Sequence, residues 1–100
     1  MTGPSFRLEN STPDTLAVSG ELTFQTAAQA LSEATAAIAG GRQTRLDLVG
    51  VDAVDSAGLA CVLAVVAEVR RQGRPFHVVN APAGLRTLAQ VADVDGLLMA

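Results

Sequence analysis

The chain has no tryptophan and no tyrosine, and only three phenylalanines, Phe6, Phe24 and Phe76, in its 100 residues. A core must therefore be assembled from Ala, Val and Leu, which pack small and close. The single cysteine, Cys61, excludes an internal disulfide and fits a reducing compartment. There is also a single histidine, His77, so a Ser-His-Asp arrangement has one candidate base, and it lies inside the strand-like segment PFHVVN. Metal binding is starved in the same way: one His, one Cys and no carboxylate cluster at ligand spacing. Neither glycine-rich phosphate loop, G-x-x-x-x-G-K-[ST] or G-x-G-x-x-G, occurs. The expectation from these absences is a protein that is not an enzyme and carries no metal or cofactor.

Cations are scarce as well. Seven basic against ten acidic side chains give a net charge of -3 and an isoelectric point near 4.8, the wrong balance for tracking nucleic-acid phosphates. Long hydrophobic runs are missing too: residues 57–67 form the longest, about half of the roughly 20 needed to cross a bilayer, so no direct membrane insertion is expected. The opening MTGPSFRLEN lacks the basic and apolar regions of a signal peptide, so a cytoplasmic location is expected.

What the chain does have is 49% apolar residues, enough for one compact domain over residues 1–100. FRLEN and TLAVSGEL alternate in polarity around the turn residues Pro13 and Asp14, so residues 6–9 and 15–20 read as a hairpin ending at Gly20. An alanine-rich stretch follows, with Ala27, Leu31, Ala34 and Ile38 at helical spacing, Thr23 as N-cap and Gly40-Gly41 as stop. TRLDLVGV is a strand, residues 56–73 a second helix, PFHVVN a short strand, and APAGLRTLAQVA a third helix with Pro82 near its first turn. Strands alternating with helices imply an α/β fold: a mixed, mostly parallel sheet of about four strands with an N-terminal hairpin, covered by helices. Arg70, Arg71 and Arg74 sit where the second helix ends and suit its dipole there.

The stretch VDAVDSAGLACVL departs from this plain scaffold. Asp52 and Asp55 read as turn and cap residues. Ser56 falls where strand gives way to helix, the place of an N-cap, which structure alone explains. Gly58 in the first turn does not fit that reading, because a helix-interior glycine costs roughly 1 kcal/mol relative to alanine; something approaches the helix start closely. Residues 57–67 are also apolar all round, whereas a helix on one face of a sheet needs one apolar stripe. With Leu59, Val62, Leu63 and Val66 on the sheet, Cys61 and Val65 pack either on a neighbouring helix or in a partner-binding patch.

LDLVGVDAVDSAGLACVLAVVAEVRRQG, a short strand, and then PAGLRTLAQV resemble the STAS domain, a module shared by sulphate transporters and anti-sigma factor antagonists. The resemblance spans residues 6 to about 98, and DTLAVSGELT with VDSAGLACVL is most similar to the MlaB-type members. It implies a non-enzymatic accessory subunit that binds the ATPase of an Mla-type ABC phospholipid transporter, an inner-membrane complex that supports outer-membrane lipid asymmetry. In those members the hydroxyl residue after the aspartate lies at the ATPase interface, and it maps onto Ser56; threonine is common there, and serine keeps the hydroxyl. In the anti-sigma factor antagonists the same position is a serine phosphorylated by an anti-sigma factor kinase. Their motif is closer to DSSG, and here Ala57 replaces the second serine. The expected partner-binding surface is Asp52, Asp55, Ser56, Ala57, Gly58 and Cys61, joined by Gly20 and Glu21, which a parallel sheet should bring to the same edge.

Overall fold

The computed structural model describes residues 5–10 and 12–99. Strand β1 (Phe6–Glu9) pairs antiparallel with β2 (Thr15–Leu22), Phe6 facing Gly20 and Glu9 facing Ala17. The hairpin is as expected, but β2 runs two residues beyond Gly20. Glu21 and Leu22 continue the pairing on the other side, opposite Ala53 and Val54 of β3 (Arg45–Val54). With β4 (His77–Val79) the sheet order is β1-β2-β3-β4, and only the β1-β2 pair is antiparallel.

The eight residues of β2 lie against ten of β3. Two register shifts absorb the difference, since Ala17 and Ser19 face Asp47 and Gly50, while Gly20 and Glu21 face Val51 and Ala53. Each shift is a β-bulge, which turns side chains out of phase with simple alternation. Leu46, Leu48 and Val51 are therefore buried, while Val49 and Asp52 are exposed. Asp52 accordingly lies in an extended strand and not in the turn expected for it.

Helix α1 (Ala27–Ala39) buries Ala30, Ala34 and Ile38, with Ala27 and Leu31 half-buried at its edge. Its N-cap is Thr26, three residues after the expected Thr23. The chain already turns helically before it, because Thr23 carbonyl oxygen accepts from the N–H groups of Thr26 and Ala27 at 2.9 and 2.8 Å. The Thr26 hydroxyl donates to the Glu21 carbonyl at 2.7 Å, fixing the helix start to β2. Helix α2 (Ser56–Arg71) buries Leu59, Cys61, Val62, Val65, Val66 and Val69. Helix α3 (Ala83–Val91) follows Pro82, and α4 (Asp95–Met99) is a short helix in the tail.

One core cluster joins Leu16, Val18, Leu22, Leu46, Leu48 and Val51 of the sheet to residues of all four helices. The alternate strand residues, Arg7, Arg45, Asp47 and His77 among them, are exposed or half-buried. The helices thus cover a single face of the sheet. Cys61 and Val65, the pair in question on α2, sit in that core beside Ala30 and Ala34 of α1, so they pack on the neighbouring helix.

The three arginines at the end of α2, Arg70 and Arg71 in its last turn and Arg74 beyond it, are not a simple dipole cap. Arg71 pairs with Glu68 at 2.7 Å on the surface, Arg70 donates to the Phe76 carbonyl, and Arg74 reaches across to α1. There its guanidinium meets the carbonyls of Ile38 and Gly41 at 2.7 and 2.8 Å, satisfying acceptors that a helix C-terminus leaves open. No helix among the described residues is long and apolar enough to cross a membrane.

Candidate functional site

Parallel pairing sets the ends of β2 and β3 side by side, and the chain leaves β3 directly into α2. Asp55 occupies the junction in an extended conformation (φ -131°, ψ -171°) and is the N-cap of α2, in the place expected of Ser56. An ionised carboxylate is the stronger acceptor for helix N–H groups, and it carries the charge the helix dipole favours at that end. Its two oxygens serve different elements. Oδ1 accepts from the Gly58 N–H at 3.0 Å within α2, and Oδ2 accepts from the Phe24 N–H at 2.9 Å in the turn before α1. The bonds from Phe24 first, then Gly58, hold the Asp55 carboxyl below its ordinary pKa.

With the cap supplied by Asp55, Ser56 becomes the first residue of the helix. Its side chain is exposed, and no hydrogen bond to it is found among the described residues. Gly58 explains itself by contact: a methyl group there would collide with the Leu22 carbonyl oxygen at the end of β2. Absence of a side chain lets the first turn of α2 press onto the end of β2, where the Asp55 N–H also donates to the Leu22 carbonyl.

The other expected residues divide. Glu21 and Asp52 lie at this same edge, half-buried and exposed, as the sheet topology requires. Gly20 lies half-buried at this edge too, and the backbone explains why it is a glycine. Its φ of +90° and the 2.6 Å that would separate a Cβ from the Ser5 carbonyl oxygen show a residue that lets β1 cross β2 closely. Cys61 is 6% exposed, and burial pushes its thiol up to about 11; it forms the floor of the surface and not its face. Ala57 is half-buried.

Ala57 also leads to what the motif alone did not reveal. With Ala60 and Ala64 it makes one wall of an apolar surface groove of about 300 Å³, whose other wall is Ala27, Ala28 and Leu31 of α1. Phe24 stands one turn before Ala27 and Ala28 and is 82% exposed. Phe24 is one of only three aromatics in the chain, but nothing in the sequence marks it as solvent-facing, because it falls inside what reads as the helix start. Among the described residues there is no group of three or more His, Cys, Asp or Glu that could hold a metal ion.

The family model "Mlab, STAS domain" matches residues 7–99 of the chain. Among solved structures, the anti-sigma factor antagonist SpoIIAA in its unphosphorylated form is similar at 23% identity and a TM-score of 0.72, covering 95% of this chain and 86% of that one. The Bacillus cell fate determinant SpoIIAA in the phosphorylated form is similar at 23% identity and a TM-score of 0.68, covering 95% and 89%. At this identity the likeness is one of fold. None of the curated proteins matches the sequence.

Proposed function

Since the chain belongs to the Mlab STAS-domain family, we propose that it is a non-enzymatic accessory subunit that binds the ATPase of an Mla-type ABC phospholipid transporter. The binding edge is the start of α2, and the proposed location is the cytoplasmic side of an inner-membrane complex. The observation that supports this reading most is Ser56 itself. Its hydroxyl is exposed at a helix start whose capping is already done by Asp55, so the residue is spare for contact with another protein. The bare apolar groove beside it is the kind of surface that marks an interaction site.

The test is replacement of Ser56 by arginine, with binding to the purified Mla-type ATPase of the same organism measured by calorimetry. A large cation at the centre of the contact should weaken binding at least fiftyfold while the circular dichroism spectrum and melting temperature stay within error. Unchanged affinity with intact folding would sink the proposal.

A second reading, an anti-sigma factor antagonist switched by phosphorylation, is favoured by the same exposed hydroxyl. Its partner would be an anti-sigma factor kinase, and incubation with that kinase and ATP should place phosphate on Ser56. Incorporation there would displace the ATPase reading, and none would remove the alternative.

A further inference from the structure

We infer that the groove between α1 and α2, with Phe24 as its anchor, seats an amphipathic helix of the ATPase that is aliphatic on the face it buries and basic on its flanks. The inference rests on the proposed ATPase partnership and says which surface element of that partner is bound. Four observations carry it.

The groove is walled by side chains no larger than leucine, chiefly Ala27, Ala28, Ala57, Ala60 and Ala64. Small residues let a third helix approach both backbones, near the 8–10 Å at which helices pack, and its larger side chains then fill the space the alanines leave. Such helix-in-groove docking needs anchors at helical spacing and no buried charge.

Phe24 supplies the aromatic contact. It is 82% exposed, yet its backbone does not wander: the Phe24 N–H is held by Asp55 Oδ2 at 2.9 Å, and the turn around it is closed by the Thr23 N–H donating to the Thr26 hydroxyl at 3.0 Å. A large apolar side chain presented from a backbone that is already held leaves only its own rotamers to be ordered on binding, and an aromatic of that kind is the usual interface hot spot.

The solvent side of α2 is uncharged from Ser56 to Ala67, and its first charged residue is Glu68. Polar residues ordinarily fill the outer face of a helix laid on a sheet. Their lack here over three turns makes α2 a ridge that another protein can cover without stranding a charge.

Charge selects the occupant. Glu21, Asp52 and Asp55 lie at the ends of β2 and β3, the end of the molecule at which α1 and α2 begin and the groove opens. Arg42, Arg45, Arg70, Arg71 and Arg74 gather at the far end with Asp14 and Glu68, as the Arg74 bonds to the carbonyls of Ile38 and Gly41 require. A segment entering over the mouth is attracted if it carries Lys or Arg and repelled if it is acidic.

The experiment uses the full chain and the purified ATPase. Phe24→Ala should weaken binding at least tenfold, and Ala60→Glu, which places a charge in the groove from an exposed position, at least a hundredfold. Both variants should keep the wild-type melting temperature to within 2 °C, since neither side chain is part of the core, roughly the shift that half a kcal/mol produces in a domain of this size. Benzoylphenylalanine at position 24, photolysed in the complex, should cross-link to a Lys- or Arg-bearing helix of the ATPase. Wild-type affinity in both variants while Ser56→Arg abolishes binding would overturn the groove and leave the ATPase reading standing. Wild-type affinity in all three would overturn both. A cross-link to an acidic segment, or to a strand or loop, would overturn the choice of occupant.

Discussion

Asp55 and Gly58 are the residues on which the site's geometry turns. The carboxylate of Asp55 joins two elements far apart in sequence, and removing it frees the Phe24 turn and uncaps α2 together. Asp55→Asn keeps only one acceptor oxygen and should lower the melting temperature at pH 7. Because backbone N–H groups hold the folded carboxyl below its ordinary value of 3.8, its contribution is fully present above that value. It is then lost as pH falls through the lowered one. Melting curves of wild type and Asp55→Asn should therefore converge in acid; a gap that persists unchanged to pH 2 would assign the Asn effect to something other than the ionised cap. Gly58→Ala tests the contact between α2 and β2. A methyl group forced against the Leu22 carbonyl oxygen must move backbone, a cost on the order of 1–3 kcal/mol, although alanine is intrinsically the better helix former. A stabilised Gly58→Ala variant, read by urea denaturation, would contradict the close approach.

Helices and strands were legible in the sequence wherever one periodicity ran without interruption. The alternation of TLAVSGEL and the helical spacing of Ala34 and Ile38 placed β2 and α1, and the apolar run after Ser56 placed α2. Errors came where two elements meet. TRLDLVGV reads as a strand that stops at Val51, whereas β3 runs on to Val54, because its two bulges put Val49 and Asp52 on the exposed side and break the alternation. The sequence reads Ser56 as the cap of α2 although Asp55 one residue earlier does the capping, since adjacent capping residues differ only in which carries extended dihedral angles. The part of the site on α1 was hidden for another reason: nothing local tells that Phe24 is held by a carboxylate 31 residues away. Arg74 is a further long-range link, from the segment after α2 to the end of α1. Its hydrogen bonds come from a charged donor, worth about 2 kcal/mol net. Arg74→Ala should cost about that much in urea denaturation, while Arg74→Lys, lacking the planar fork, should recover less than half; full recovery by lysine would show that charge alone matters.

At the scale of the whole molecule, the sheet is covered on one face, and the two ends of the structure differ in character. The end bearing Ser56 is acidic at its rim and apolar along α1 and α2, and the end bearing Arg45 and Arg74 is rich in arginine. The uncovered sheet face carries Arg7, Arg45, Asp47 and His77 together with the exposed Val49. One partner engaging the Ser56 end is the simplest use of this asymmetry, and association should then weaken as salt rises, because the carboxylates of Glu21, Asp52 and Asp55 would be screened. The central claim is that this end, and not the open sheet face, binds the ATPase. Hydrogen exchange of the full chain with and without the ATPase measures it most directly. The account predicts slower exchange over residues 22–28 and 56–64 on binding, with residues 45–48 and 77–79 unchanged. Protection confined to the strands at the open face, with the start of α2 unaffected, would contradict it.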